Sequence, residues 1–171
     1  MKIFLIGFPG SGKTFLAENT AGLLKFPLKD TDRMIEAELG QTIQEIFKKS
    51  GENLFREKEA EVLRTLAKTR QAIIATGGGL PCFKGNMEWM NANGITVYLE
   101  SSAAFLFHRL LKEKKTRPLI SHLSDIELMI YITETLAARR NFYGEATLTL
   151  NAENCTPVKL CTVIQKKINV K

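Results

Sequence analysis

The octapeptide GFPGSGKT at residues 7–14 leaves this chain the least freedom. Gly7, Gly12, Lys13 and Thr14 stand at the spacing G-x-x-x-x-G-K-[ST]. In that pattern the loop's N–H groups converge on phosphate oxygens, the lysine reaches the β- and γ-phosphates, and the hydroxyl meets Mg²⁺. At ordinary residue usage it arises by chance at about 4 start positions in 100,000, so accident explains it poorly in a chain of 171 residues. The flanks agree: KIFLI before the loop is an apolar run of strand length, and TFLAENTAGLL after it carries apolar residues at helical spacing. A strand, a solvent-facing phosphate loop holding Lys13, and a helix are expected in that order.

Further strands are expected at PLKDT (27–31), AIIAT (72–76), ITVYL (95–99) and ATLTL (146–150). Between them, residues 42–50, 52–68, 102–113, 124–140 and 157–168 repeat apolar side chains with helical period. Alternation of this kind predicts an α/β fold, a parallel sheet with helices on both faces, with ligands at the carboxyl ends of the strands. The length suits one core rather than two, and no linker or repeat divides residues 1–171, so a single domain is expected.

Composition narrows the partners. Lysines and arginines number 24 against 18 acids, a net charge of +6, which suits nucleic acid, a membrane surface or small anions. The basic runs KEKK (112–115) and QKK (165–167) are short and carry no aromatic residues for stacking bases. Nucleic acid is therefore not expected as a partner, nor a membrane, since no apolar run is long enough to span one. Cys82, Cys155 and Cys161 lack metal-ligand spacing and cannot all pair, in keeping with a reduced, cytoplasmic setting.

A phosphate loop alone does not name the acceptor. A guanine-reading N-K-x-D and a D-x-x-G are both absent, which argues against a switch GTPase. Asp30 and Asp32 in DTD lie beyond a strand, so one can stand beside a metal and the other beside a nucleophile; alternatively Thr31 or Asp32 caps the helix RMIEAEL. In TIQEIFKKSGENLFREKEAEVLR the period assigns Ile43, Ile46, Phe47, Leu54 and Val62 to the core and most charges to a wet face, with Arg56 set apart. Gly77, Gly78 and Gly79 end a strand without side chains, which admits a ligand to the backbone or makes a tight turn. KEKKTRPLISHLS (112–124) reads as a mobile loop over the site or as a plain surface loop.

Taken in order, GFPGSGKT, DTD, GENLFREKE (GE-x-x-FR-x-x-E), TGGG, TRPLI and RRNFY (R-x-x-x-Y) resemble the motifs of shikimate kinases over nearly the whole chain. The resemblance implies the nucleoside-monophosphate-kinase-like P-loop fold: a five-stranded parallel sheet, a substrate-binding helical segment at about 31–60 and a lid at about 112–124. It implies phosphorylation of the shikimate 3-hydroxyl by MgATP, a step in aromatic amino-acid biosynthesis. A monomer is expected.

Carried over residue by residue, the resemblance gives Lys13, Asp32 and Arg117 as catalytic, with Asp32 orienting the nucleophile and accepting its proton and Arg117 reaching the transferring phosphate. It gives ATP to Gly10, Ser11, Gly12, Lys13, Thr14, Phe15, Arg109, Arg117, Asn154 and Pro157, with Arg109 near adenine. Mg²⁺ goes to Thr14 and, through water, Asp30. Shikimate goes to Asp32, Arg56, Gly77, Gly78, Gly79 and Arg139, the two arginines gripping its carboxylate as planar forks. Asn141 replaces the family's usual proline, and a shift of one position would exchange Arg139 with Arg140. The nearest rival is another small-molecule kinase of the same fold, such as a gluconate kinase; a neutral sugar or nucleoside would not need Arg56 and Arg139 converging on a carboxylate. A non-catalytic nucleotide-binding regulator would turn Asp32 and Arg117 away from the phosphate loop.

Overall fold

The computed structural model describes residues 1–169. In chain order it has β1 (Lys2–Ile6), α1 (Lys13–Leu24), β2 (Leu28–Asp30), α2 (Thr31–Leu39), α3 (Ile43–Thr65), β3 (Ala72–Ala75) and α4 (Asn86–Asn93). Then follow β4 (Ile95–Glu100), α5 (Ala103–Glu113), α6 (Asp125–Gly144), β5 (Leu148–Asn151) and α7 (Pro157–Asn169). The strands form one sheet in the order β2-β3-β1-β4-β5, every neighbour parallel.

Parallel strands covered on both faces read as unbroken apolar runs, and β1 is buried at all five positions. Its side chains still divide between faces: Ile3 and Leu5 pack with Leu16 and Ala17 of α1 and Leu160 and Ile164 of α7. Phe4 and Ile6 pack on the other face with Leu63 of α3, Met87 and Met90 of α4, and Tyr143 of α6. A third cluster joins Phe8 to Leu106 and Leu110 of α5, Ile120, and Leu128 and Ile132 of α6. A fourth joins Ile35 of α2 to Ile46, Phe55 and Val62 of α3. The loops leaving β1 and β3 thereby lie side by side where the connections diverge to opposite edges of the sheet, the crevice in which open parallel sheets bind ligands.

Several boundaries depart from the sequence-based expectation. The two periods at 42–50 and 52–68 do appear as two helical halves of α3, separated by a kink at Gly51 (φ 78°, ψ 175°), where a backbone that only glycine adopts readily breaks the phase between them. Leu54, expected in the core, is exposed, and Phe55 is buried instead, because the interruption turns the stripe by one residue. The short helix α4 was not expected; NMEWMNAN offers only Met87 and Met90 as a buried pair. The 112–124 stretch is more ordered than a loop without period: α5 runs to Glu113, a 3-10 turn spans Lys114–Thr116, and buried Ile120 anchors the rest on Phe8.

Candidate active site

Gly12 caps α1 with φ 93°, a left-handed turn that lets the loop close before the helix begins at Lys13. Lys13 is buried rather than solvent-facing, which corrects the sequence reading: the loop folds back so that its Nζ donates to Gly7 O at 2.9 Å and Phe8 O at 2.8 Å. Burial, reinforced by the nearby Arg117 charge and opposed by Asp32, lowers the Lys13 pKa to about 7. Ser11 sits under the loop, its N–H given to Phe8 O, so its side chain does not face the cavity. Gly10, Gly12, Lys13, Thr14 and exposed Phe15 line a cavity of about 390 Å³ together with Asp30, Asp32, Arg109, Glu113 and Arg117.

Neither Thr31 nor Asp32 caps α2. Asp30 does, its Oδ1 accepting from the N–H groups of Asp32 and Arg33 at 3.0 and 3.2 Å. That cap aims the other oxygen, Oδ2, at Thr14 Oγ1, 3.5 Å away. Among the described residues no three His, Cys, Asp or Glu side chains gather into a metal cage. A hydroxyl beside a carboxylate at a phosphate loop still fits Mg²⁺, which takes most of its ligands from water and phosphate.

Asp32 and the glycine loop also border a second cavity of about 470 Å³, lined by Phe47, Phe55, Arg56, Glu59, Gly77, Gly78, Gly79, Arg117, Tyr131 and Arg139. The glycines make room for the protein's own side chains. A Cβ at Gly77 would stand 2.1 Å from Glu59 Oε1 and 2.9 Å from Asp32 Oδ1, and one at Gly79 would stand 2.5 Å from Arg56 Cζ. The Gly77 N–H is already given to Thr31 Oγ1 at 3.0 Å, so it is not a free donor. Tyr143 fixes the loop from below, its hydroxyl donating to Gly78 O at 2.6 Å.

Arg56 is held on both sides: Nη1 donates to Glu59 Oε2 at 2.6 Å, and Nη2 to Glu52 Oε1 at 2.7 Å. Burial works against its charge, but the Glu59 and Glu52 carboxylates outweigh it and raise its pKa. Arg139 lies 5.5 Å from the centre of the Phe8 ring and lines the cavity, whereas Arg140 is exposed and does not. Among the described residues, Asp32 Oδ1, Glu59 Oε1 and Arg139 Nη1 are buried without a hydrogen-bond partner. Buried polar atoms left so are uncommon, and three on one cavity wall mark a place built for a polar ligand. Burial, then the neighbouring Asp30, raises the Asp32 pKa to about 6; burial raises Glu59 to about 7 against the pull of Arg56.

Fully buried Glu59 is the functional candidate that the sequence reading missed, having counted it with the wet face. Asn154 ends the 3-10 turn after β5 and Pro157 opens α7; neither borders the two cavities. Arg109 does border the phosphate cavity, with its guanidinium also 5.4 Å from the Phe105 ring centre.

An all-parallel sheet, a phosphate loop, and a second cavity that shares Asp32 with the first define a P-loop kinase acting on a small molecule. The chain belongs to the shikimate kinase family, whose profile, described as "Shikimate kinase", matches residues 9–169. It is 42% identical over 152 residues to the shikimate kinase of Phocaeicola vulgatus, covering 89% of this chain and 87% of the relative. The crystal structure of Bacteroides thetaiotaomicron shikimate kinase superposes with a TM-score of 0.87 at 37% identity, over 99% of this chain and 97% of that one. Acinetobacter baumannii shikimate kinase in complex with shikimate gives 0.82 at 32% identity, over 99% and 91%.

Proposed function

We propose that this chain transfers the γ-phosphoryl group of ATP to the 3-hydroxyl of shikimate, giving shikimate 3-phosphate and ADP on the route to chorismate and the aromatic amino acids. The observation that carries the reading is the position of Asp32 on the wall between the two cavities, with the phosphate loop on one side and Arg56 and Arg139 on the other. Asp32 and Arg117 both border the phosphate cavity, which speaks against a non-catalytic regulator. Two arginines on the acceptor cavity favour an acidic acceptor over a neutral sugar or nucleoside.

On this reading Arg56 and Arg139 grip the shikimate carboxylate and set the ring so that one hydroxyl meets Asp32. The hydroxyl oxygen attacks the γ-phosphorus as the bond to the β–γ bridging oxygen breaks, and its proton passes to Asp32. A carboxylate pKa of about 6 suits a base that must be ionised near neutral pH yet still hold a proton. Lys13 and Arg117 supply positive charge where it spreads over the phosphoryl oxygens. Thr14 and Asp30 would hold Mg²⁺, whose charge neutralises the β- and γ-phosphate oxygens. Both cavities are completed by one chain, in keeping with a monomer, and the three cysteines are free thiols, in keeping with the cytoplasm.

The test is phosphoryl transfer from MgATP to shikimate against a panel of hydroxy acids and sugars. Shikimate should be preferred over a neutral sugar by at least about a hundredfold in kcat/KM, the weight of one buried charge pair. Equal use of the two would overturn the acceptor.

A further inference from the structure

We infer that Glu113 is a positioning residue for the lid arginine: it holds one edge of the Arg117 guanidinium so that the opposite fork is presented to the transferring phosphate. The inference rests on the reading of Arg117 given above.

Arg117 donates from Nε at 3.1 Å and from Nη2 at 2.5 Å, both to the single oxygen Oε2 of Glu113. A guanidinium has five N–H groups in one plane. Two are therefore spent on Glu113, and among the described residues both Nη1 hydrogens and the second Nη2 hydrogen have no partner. One hydrogen from each of Nη1 and Nη2 forms the Nη1–Nη2 fork, the edge suited to two oxygens of one phosphoryl group. Arg117 borders both cavities, so the residue carrying that fork stands where donor and acceptor meet.

The two residues differ in how firmly the fold holds them. Glu113 ends α5, a helix anchored by buried Leu106 and Leu110. Arg117 comes after the 3-10 turn, in extended backbone, its N–H given to Lys114 O at 3.2 Å. The Thr116 hydroxyl returns to Glu113 O at 2.8 Å, tying the turn to the helix end. A long side chain on a turn has many rotamers, and a fixed carboxylate one helical turn back removes most of them.

The placement of a carboxylate here is otherwise unfavourable. Glu113 borders the cavity that must take a polyanion, among Lys13, Arg109 and Arg117. Its pair with Arg117 is over a third exposed on both sides, so it contributes little to stability. A group that weakens nucleotide binding and barely stabilises the fold is explained if it orients the arginine for the chemical step.

The test is single-turnover phosphoryl transfer by the full-length chain at saturating MgATP and shikimate, with ATP affinity and Tm measured in parallel. Glu113→Ala should slow transfer by about tenfold, the scale of a misplaced catalytic group. ATP affinity should be unchanged or up to about threefold tighter as a negative charge leaves the cavity. Tm should move by no more than about 2 °C. Glu113→Gln keeps an acceptor oxygen at the same reach and should recover most of the rate. Glu113→Asp, one methylene shorter, should not recover it, and it carries the test if the alanine variant does not melt cooperatively. In an Arg117→Ala background the Glu113→Ala change should have no further effect.

Transfer within twofold of the parent in Glu113→Ala, or in Glu113→Asp where the alanine variant does not fold, or an undiminished loss in the Arg117→Ala background, would overturn the inference. The two readings separate cleanly. If Arg117→Ala alone leaves the step unchanged, the role of Arg117 fails and this inference with it. If Arg117→Ala is slow while Glu113→Ala is fast, only the positioning role fails.

Discussion

The two cavities meet at Asp32 but are built from different material. The phosphate side is mostly a tight loop at a helix N-terminus, with eight consecutive residues, Gly7–Thr14, supplying its shape. The acceptor side is mostly side chains: Arg56 and Glu59 from α3, Arg139 from α6 and Phe8 from the loop after β1, brought together only by the tertiary fold. Backbone donors recognise any phosphate chain and tolerate changes of side chain. Converging side chains recognise one acceptor, and each depends on its neighbour for charge balance. Single substitutions should therefore weigh more heavily on the acceptor side, Lys13 being the exception on the other.

The sharpest way to break that contrast is to open the carboxylate clamp. Removing Arg56 strips shikimate of one partner and also leaves Glu59 buried with neither oxygen paired. Arg56→Ala and Arg139→Ala should each cost about 2 to 5 kcal/mol, roughly thirty- to several-thousand-fold in kcat/KM for shikimate. ATP affinity should hardly change. Because both arginines serve one anion, the double variant should lose much less than the sum. A shikimate analogue with the carboxylate reduced to an alcohol should be a poor substrate for the parent and lose little more in Arg56→Ala. Full additivity, or equal use of acid and alcohol by the parent, removes the clamp.

Lys13 is next in size. Its ammonium is the one long side chain that the phosphate loop wraps, and Lys13→Ala should lower kcat by at least about a hundredfold, the weight of one transition-state donor. The fold should survive, since only the bonds to Gly7 O and Phe8 O are lost, at about 1 kcal/mol each. Turnover within threefold of the parent would mean that the backbone alone suffices on this side.

The same division explains what the sequence discloses. The phosphate loop is local, so its spacing and flanking periods place β1, the loop and α1 within a residue or two. The sheet strands are short apolar runs and are found for the same reason. Asp32, Arg56, Gly77–Gly79 and Arg139 emerged through the family resemblance, and the fold does bring them together. Glu59 is the last fixed position of GE-x-x-FR-x-x-E yet takes no role from it, because the helical period counts most charges of GENLFREKEAE to the wet face. The available signal was position: Glu59 falls in the stripe Phe55, Glu59, Val62, Leu66, all buried, with Arg56 three residues before it. The burial of Lys13 was hidden because the loop's reversal onto its own carbonyls has no periodic signature.

The smallest effect tests the electrostatics of the phosphate side directly. With a pKa near 7 in the ligand-free protein, Lys13 is mostly neutral at pH 8. Burial and the Arg117 charge are the causes, and a polyanion offsets both by supplying negative charge beside the ammonium. MgATP binding at pH 8 should therefore take up protons, up to about 0.9 per site from Lys13, and almost none at pH 6 where the amine is already charged. Uptake also means that ATP affinity falls as pH rises from 7 to 9, because the proton becomes scarcer while the bound state still requires it. Calorimetric titration in two buffers of unlike ionisation enthalpy measures the count. Asp32 and Glu59, near 6 and 7, would be pushed the same way by an approaching anion, so the Lys13 share must be isolated. Lys13→Arg does this, since a guanidinium stays charged at every working pH and titrates nothing. The uptake at pH 8 should drop by most of its value in that variant. On the acceptor side Arg56 and Arg139 are guanidinium groups already, so the clamp itself takes up none. Proton release at pH 8, or an uptake that Lys13→Arg leaves whole, would show that the loop holds Lys13 charged before the nucleotide arrives.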